Sequence, residues 1–164
     1  MESLKKAFFL IVGVGIVVWS FYAFWNKPAP SHYQESADLE EPSKRIRVIV
    51  GDKTISAEVA NTDQERAQGL SGRESLGAET GLIFVFDTPG KYGFWMKNMK
   101  FPIDIVWIDE TLQVVGVERL INPDTYPAQF FPPSDIKYAL ELTAGEASIL
   151  GIDTGSILIF DARN

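Results

Sequence analysis

The stretch GLIFVFDTPGKYGFWMKNMKFPIDIVWI, residues 81–108, decides the fold. Leu82, Ile83, Phe84, Val85 and Phe86 are apolar in succession, so neither face of a strand there can meet water, and the pattern predicts a central strand or one held between two layers. Asp87-Thr88-Pro89-Gly90 predicts a turn. Residues 94–98 and 103–108 read as two further strands, and Pro102 between them marks a corner or bulge because it cannot donate to an inner ladder. Working outward, residues 45–50 and 54–60 flank Gly51-Asp52-Lys53 as a β-hairpin. Thr62-Asp63-Gln64-Glu65 spells a capping box that starts a helix ending near Leu70 or Ser71, with Gly72 in the left-handed position. Downstream, residues 113–120, 136–142 and 156–160 read as strands, 121–135 as irregular, and 144–150 as a short helix that Gly151 terminates. About eight short strands and two short helices predict a mainly β domain, a β-sandwich or barrel.

Four blocks carry a resemblance to a known family: Glu65-Arg66 with Gly69-Leu70 and Arg73; the GLIFVF strand; Phe94-Trp95-Met96-Lys97-Asn98 with Pro102-Ile103-Asp104-Ile105 and Ile108-Asp109; and Leu140-Glu141-Leu142 with Ala144-Gly145. In order and spacing they resemble the domain of unknown function 192 family. The resemblance implies a jelly-roll-like β-sandwich, often tethered or secreted, and brings no activity with it. Met99, where the family usually has Thr, and Ser156, where it usually has Asp after the glycine, depart from its pattern.

Residues 7–25 contain no charge and follow Lys5 and Lys6. At about 1.5 Å per residue such a helix spans roughly 28 Å, near the thickness of a bilayer core, and it is apolar around its whole circumference. The stretch is too long for a signal-peptide core and lacks a small-x-small site at its end. Residues 1–26 are therefore read as a retained single-pass anchor of the inner membrane, with the N-terminus cytoplasmic and the rest facing the periplasm or exterior. Residues 27–44, polar and with three prolines, read as a flexible tether, and residues 45–164 as the extracytoplasmic domain.

A formal net charge of −7 argues against nucleic acid as a partner. The chain has no cysteine, which removes disulfides, thiol nucleophiles and thiolate metal sites. Its one histidine, His32, falls in the tether, so a Ser-His-acid triad has no base in the domain. Ser134 and Lys137 have S-x-x-K spacing, but Pro132-Pro133 forbids the helix that chemistry needs. Met96 and Met99 read as core, not copper ligands. No cofactor motif is legible, and a carboxylate-only metal site from Asp104, Asp109, Glu118, Glu141 or Asp153 has no supporting spacing.

What remains is a polar set within apolar sequence: Lys97, Asn98 and Asp104 beside Trp95, with Glu141 and Arg66 from other blocks. Strand alternation puts Trp95 and Lys97 on one face. Either Lys97 forms a register-fixing ion pair with Asp104 or Glu141, or the set is a polar patch on an aromatic floor that binds a ligand. Tyr126, with Phe130 and Phe131 in a proline-stiffened loop, either joins a binding surface or caps the sandwich. These residues point to a non-catalytic module for a small polar ligand, a glycan or an envelope partner. The alternatives are a hydrolase using Asp104 and Glu141 as acid and base, and a purely structural envelope subunit.

Overall fold

The computed structural model describes residues 44–161. The 7–25 span, His32 and the tether up to residue 43 lie outside them, and among the described residues no helix is long and apolar enough to cross a membrane. Nine strands and two short helices follow in the order β1 (Arg45–Val50), β2 (Lys53–Ala60), α1 (Asp63–Gln68), β3 (Thr80–Gly90), β4 (Phe94–Trp95), β5 (Ile103–Ile108), β6 (Val114–Ile121), a 3-10 turn (Pro123–Thr125), β7 (Gln129–Phe130), β8 (Ile136–Thr143), α2 (Glu146–Ile149) and β9 (Ile159–Asp161).

Seven strands form one sheet in the order β6-β5-β8-β3-β2-β1-β9, and β4 pairs with β7 in a separate ribbon. The GLIFVF strand is the middle of the seven, which is why both its faces are apolar. The mainly β reading holds, but the sheet does not close into a barrel and is not purely antiparallel. β2 and β3 run parallel, and parallel neighbours need a long crossover, here residues 61–79 carrying α1. That crossover covers part of one sheet face where a sandwich would place a second full sheet. The edge strands β6 and β9 do not pair with each other; an isolated bridge between Gln113 and Ile157 joins the segments just before them.

Alternation along the strands sorts the core into two layers. Ile83, Val106, Leu140 and Leu142 pack on one face with Ala147 of α2 and Ile152. Leu82, Phe84, Ile105, Trp107 and Ala139 pack on the other with Leu70 from the crossover and Phe94 and Met96 from the ribbon segment.

Three local expectations shift. The capping box forms, with Thr62 Oγ1 accepting from the Glu65 N–H at 3.2 Å and Glu65 Oε2 from the Thr62 N–H at 2.8 Å. The helix nonetheless stops two or three residues earlier than expected, at Gln68, because Gly69 (φ 51°, ψ −134°) takes a conformation a side chain would resist. The strand expected over residues 94–98 ends at Trp95: the Met99 N–H donates to the Met96 carbonyl at 3.2 Å and Asn98 adopts φ 57°. Residues 87–90 bulge β3 away from β8, which it rejoins at Gly90, instead of reversing the chain.

Asp104, on the fully buried strand β5, is itself completely buried. It lies at a bulge where the β5–β6 register slips between Ile103 and Ile105. Its Oδ1 accepts from the Leu120 N–H at 2.8 Å, and its Oδ2 from the N–H groups of Gly145 at 2.9 Å and Ala147 at 3.1 Å. The carboxylate thus joins β5, β6 and the start of α2 through three backbone donors, that of Ala147 buried. Replacing one oxygen by an amide leaves at least one of these N–H groups facing a donor. We expect Asp104→Asn to lower stability by about 1–3 kcal/mol; an unchanged denaturant midpoint would contradict this role.

Candidate functional site

Between the crossover and the ribbon segment lies a cavity of about 480 Å³. One wall is α1 and the turn after it, with Asp63, Arg66, Ala67, Gly69 and Ser71; another is Phe86, Asp87, Thr88, Tyr92, Gly93 and Trp95; Leu70, Phe84, Phe94, Met99 and Glu141 are also among the lining residues. The aromatic walls are braced by each other. Phe86 and Tyr92 stack with centroids 3.7 Å apart, and Phe94 meets Phe84 edge-on at 4.9 Å and Trp107 at 5.0 Å. The Tyr92 hydroxyl donates to the Thr88 carbonyl at 2.7 Å, tying residue 92 to the bulged end of β3.

Glu141 is the unusual member. In β8 it sits opposite Ile105 of β5 and Leu82 of β3, so its side chain projects from the apolar face carrying Phe84 and Trp107. It is only 5% exposed, and its Oε2 is buried with no hydrogen-bond partner among the described residues. Loss of water pushes its pKa up to about 8, against the opposing influence of the Arg73 charge. At neutral pH it is therefore mainly a carboxylic acid, able to donate a hydrogen bond. Gly69 holds the approach open, since a side chain there would fall 3.4 Å from the Phe84 ring and 3.9 Å from Glu141 Oε2.

Of the residues singled out in the sequence, Glu141, Trp95 and Arg66 converge on this cavity. Arg66 acts as a brace: Nη1 donates to the carbonyls of Asn61 and Val85, both at 2.8 Å, and Nη2 to Asp63 Oδ1 at 2.6 Å, while the guanidinium lies over Phe86 at 5.7 Å. Val85 is where β3 leaves the β8 ladder, so Arg66 supplies the donor its carbonyl loses. Trp95 is 47% exposed at the cavity wall. Lys97 and Asn98 are exposed and do not line the cavity. The Lys97 ion pair does not form: no carboxylate lies within 4.0 Å of Lys97 among the described residues, and Asp104 is occupied by backbone donors. Tyr126 is exposed beside the 3-10 turn, outside the lining.

The acid–base pair imagined for a hydrolase is split by the sheet. Asp104 is opposite Leu142 and Glu141 opposite Ile105, so the two carboxylates project from opposite faces. No three carboxylates or histidines among the described residues gather closely enough to share a metal ion. A further buried carboxylate, Glu146, lies at α2, where its Oε1 accepts from the Glu79 N–H and burial raises its pKa. On the other side of the α1 crossover a hollow is lined by Glu58 and Arg73, whose charges are already paired at 2.6 Å. Sequence reasoning missed Phe84, Phe86, Tyr92, Met99 and Gly69. The i, i+2 spacing of Phe84 and Phe86 was the available signal that one face of β3 is aromatic.

The sequence profile of DUF192, described as "Uncharacterized ACR", matches residues 46–160, which run from β1 into β9. The chain belongs to the domain of unknown function 192 family. Within this family frame, two solved structures are similar. One, from Sinorhizobium meliloti 1021, is described as a candidate transcription regulator and is 27% identical with a TM-score of 0.65, over 71% of this chain and 92% of that one. The other, a protein of unknown function from Novosphingobium aromaticivorans DSM 12444, is 29% identical with a TM-score of 0.65, over 70% and 83%. No curated protein matches the chain significantly. The four motif blocks of the DUF192 domain supply the cavity's Arg66, Gly69, Leu70, Phe84, Phe86, Phe94, Trp95 and Glu141.

Glu141 also gives the domain a pH signature. Its folded pKa lies above its ordinary value of 4.5, so the native state binds the proton more tightly than the unfolded chain does. The resulting stabilisation is complete below about pH 4.5 and is lost as pH rises through about 8. At about 1.4 kcal/mol per pKa unit this amounts to a few kcal/mol. We expect Glu141→Gln, which cannot ionise, to flatten the fall in denaturant midpoint between pH 5 and 8. Parallel pH profiles for the two proteins would show that burial does not perturb this group.

Proposed function

We propose that this chain is a membrane-anchored, extracytoplasmic binding module that takes a small ligand into the cavity between α1 and β4, without catalysis of its own. The observation that carries the reading is the unpartnered Glu141 Oε2 beneath an aromatic-walled cavity. A buried polar atom without a partner is costly, and a site for an incoming ligand is a recurrent reason to retain one. Apolar walls with a few placed polar groups are also the usual make-up of small-molecule sites. A two-carboxylate hydrolase is disfavoured by the placement of Asp104, whose oxygens are taken up by three backbone donors on the other face. The regulator description attached to the Sinorhizobium structure is not adopted as DNA binding, because a chain of net charge −7 lacks the cationic surface that phosphates require.

The anchor rests on the uncharged 7–25 stretch and its Lys5/Lys6 flank. It predicts that the full chain resists carbonate extraction and that protease reaches the domain only from outside the cytoplasm; release of a chain beginning near residue 26 would refute it. For the cavity, Ala67 is an exposed residue of the lining, so Ala67→Trp fills the mouth without touching the core. In a thermal-shift screen of the full chain against sugars, amino acids and small amides, stabilising compounds should lose their effect in Ala67→Trp while the unliganded Tm stays within about 2 °C. Compounds that stabilise both proteins equally would place binding elsewhere.

A further inference from the structure

The chemistry of the lining narrows the ligand class further. An anionic ligand finds no uncommitted positive charge: Arg66, the cation of the lining, is neutralised by Asp63 at 2.6 Å and spends its Nη1 on two carbonyls. Such a ligand would also face Asp63, Asp87 and Glu141. A cationic ligand would need Glu141 ionised at a buried position whose direct cross-strand neighbours are the apolar Ile105 and Leu82. The cost of that ion is large unless it is closely paired and hydrogen-bonded. An uncharged molecule meets neither obstacle. Its apolar body would pack against the Phe84, Phe86 and Trp95 walls, and an acceptor oxygen would complete the hydrogen bonding of the buried carboxyl.

Resting on the binding reading above, we infer that the ligand is an uncharged organic molecule with a flat apolar body and a carbonyl-type oxygen, seated with that oxygen on the Glu141 carboxyl group. The charged and titratable groups around Glu141 are Asp63 and Arg66 on α1, Arg73 on the segment after it, Asp87 on β3, and Tyr92 before β4; the facing positions on β5 and β3 carry none, and one strand further out the same row holds Glu118 on β6 and Glu58 on β2, the latter paired with Arg73. Donation requires the protonated acid, so affinity should follow the protonated fraction of Glu141. With a pKa of about 8, that fraction falls about tenfold between pH 6.5 and pH 9.

The test is ligand-observed fluorine NMR on the full chain with three matched probes: para-fluorobenzamide, para-fluorobenzoate and para-fluorobenzyltrimethylammonium, whose charge is permanent. The benzamide should bind at pH 6.5 and weaken about tenfold by pH 9. In Glu141→Gln, whose amide still donates, its affinity should become independent of pH, and Ala67→Trp should abolish binding at both pH values. If the ammonium probe is preferred in a manner sensitive to Ala67→Trp and tightens as pH rises, the cavity reading stands and the uncharged-ligand inference is overturned. Preference for the benzoate, or benzamide binding without pH dependence in the unsubstituted chain, overturns it equally. If no probe shows binding that Ala67→Trp removes, the cavity reading itself fails, and the inference with it. The pH profile of the unsubstituted chain decides the matter even if Glu141→Gln does not fold.

Discussion

The pairing of β5 with β8 is the constraint on which the rest of the domain depends. Its register sets Asp104 against Leu142 and Ile105 against Glu141, and so sends one buried carboxylate to each face of the central sheet. On one face the carboxylate is satisfied by three backbone N–H groups from β6 and the start of α2, and there it fastens secondary structure. On the other face Oε2 is buried without a partner, in a side chain that lines the floor of a cavity. A slip of β8 by one residue would turn Glu141 into the layer now filled by Leu140 and Leu142 and send those two side chains to the cavity face.

The two faces differ because they are covered differently. The Leu140 side is sealed by α2 and the segment leading into β9, with Ala147, Ile152 and Leu158 fully buried. The Phe84 side is covered by the α1 crossover and the β4–β7 ribbon, neither of which buries a whole sheet; α1 contributes no buried residue of its own. Arg66 holds the crossover to β3, Tyr92 holds the ribbon segment to the same strand, and the cavity is the space between these two attachments. A carboxyl placed beneath that space is kept mostly neutral by its surroundings, so the domain carries a hydrogen-bond donor where a fixed ion would be unaffordable.

Much of this was legible in the sequence. The uninterrupted apolar run of Leu82 to Phe86 announced the central strand, Gly51-Asp52 the hairpin, and Thr62 with Glu65 the start of α1, because each signal is local and each is completed within a few residues. The parallel β2–β3 step was not legible, since nothing in a strand's own residues states which neighbour it will meet across a crossover. The left-handed Asn98 was equally silent; it breaks the alternation after Lys97 and leaves residue 98 exposed where a continued strand would bury it. Asp104 and Glu141 were both recognisable as polar residues in apolar strands. Their opposite roles depend on register and on donors 16 to 43 residues away, which spacing alone does not encode.

The central claim is that Glu141 is a buried carboxylic acid facing an open cavity. Carbon-13 NMR of the glutamate side-chain carboxyls, followed through a pH titration of the full chain and assigned by the resonance missing in Glu141→Gln, tests it most directly. The expected result is that this resonance titrates near pH 8 and that its midpoint rises further when para-fluorobenzamide is added, because a ligand that accepts from the acid favours the protonated form. A Glu141 resonance that titrates near 4.5, the ordinary glutamate value, would contradict it.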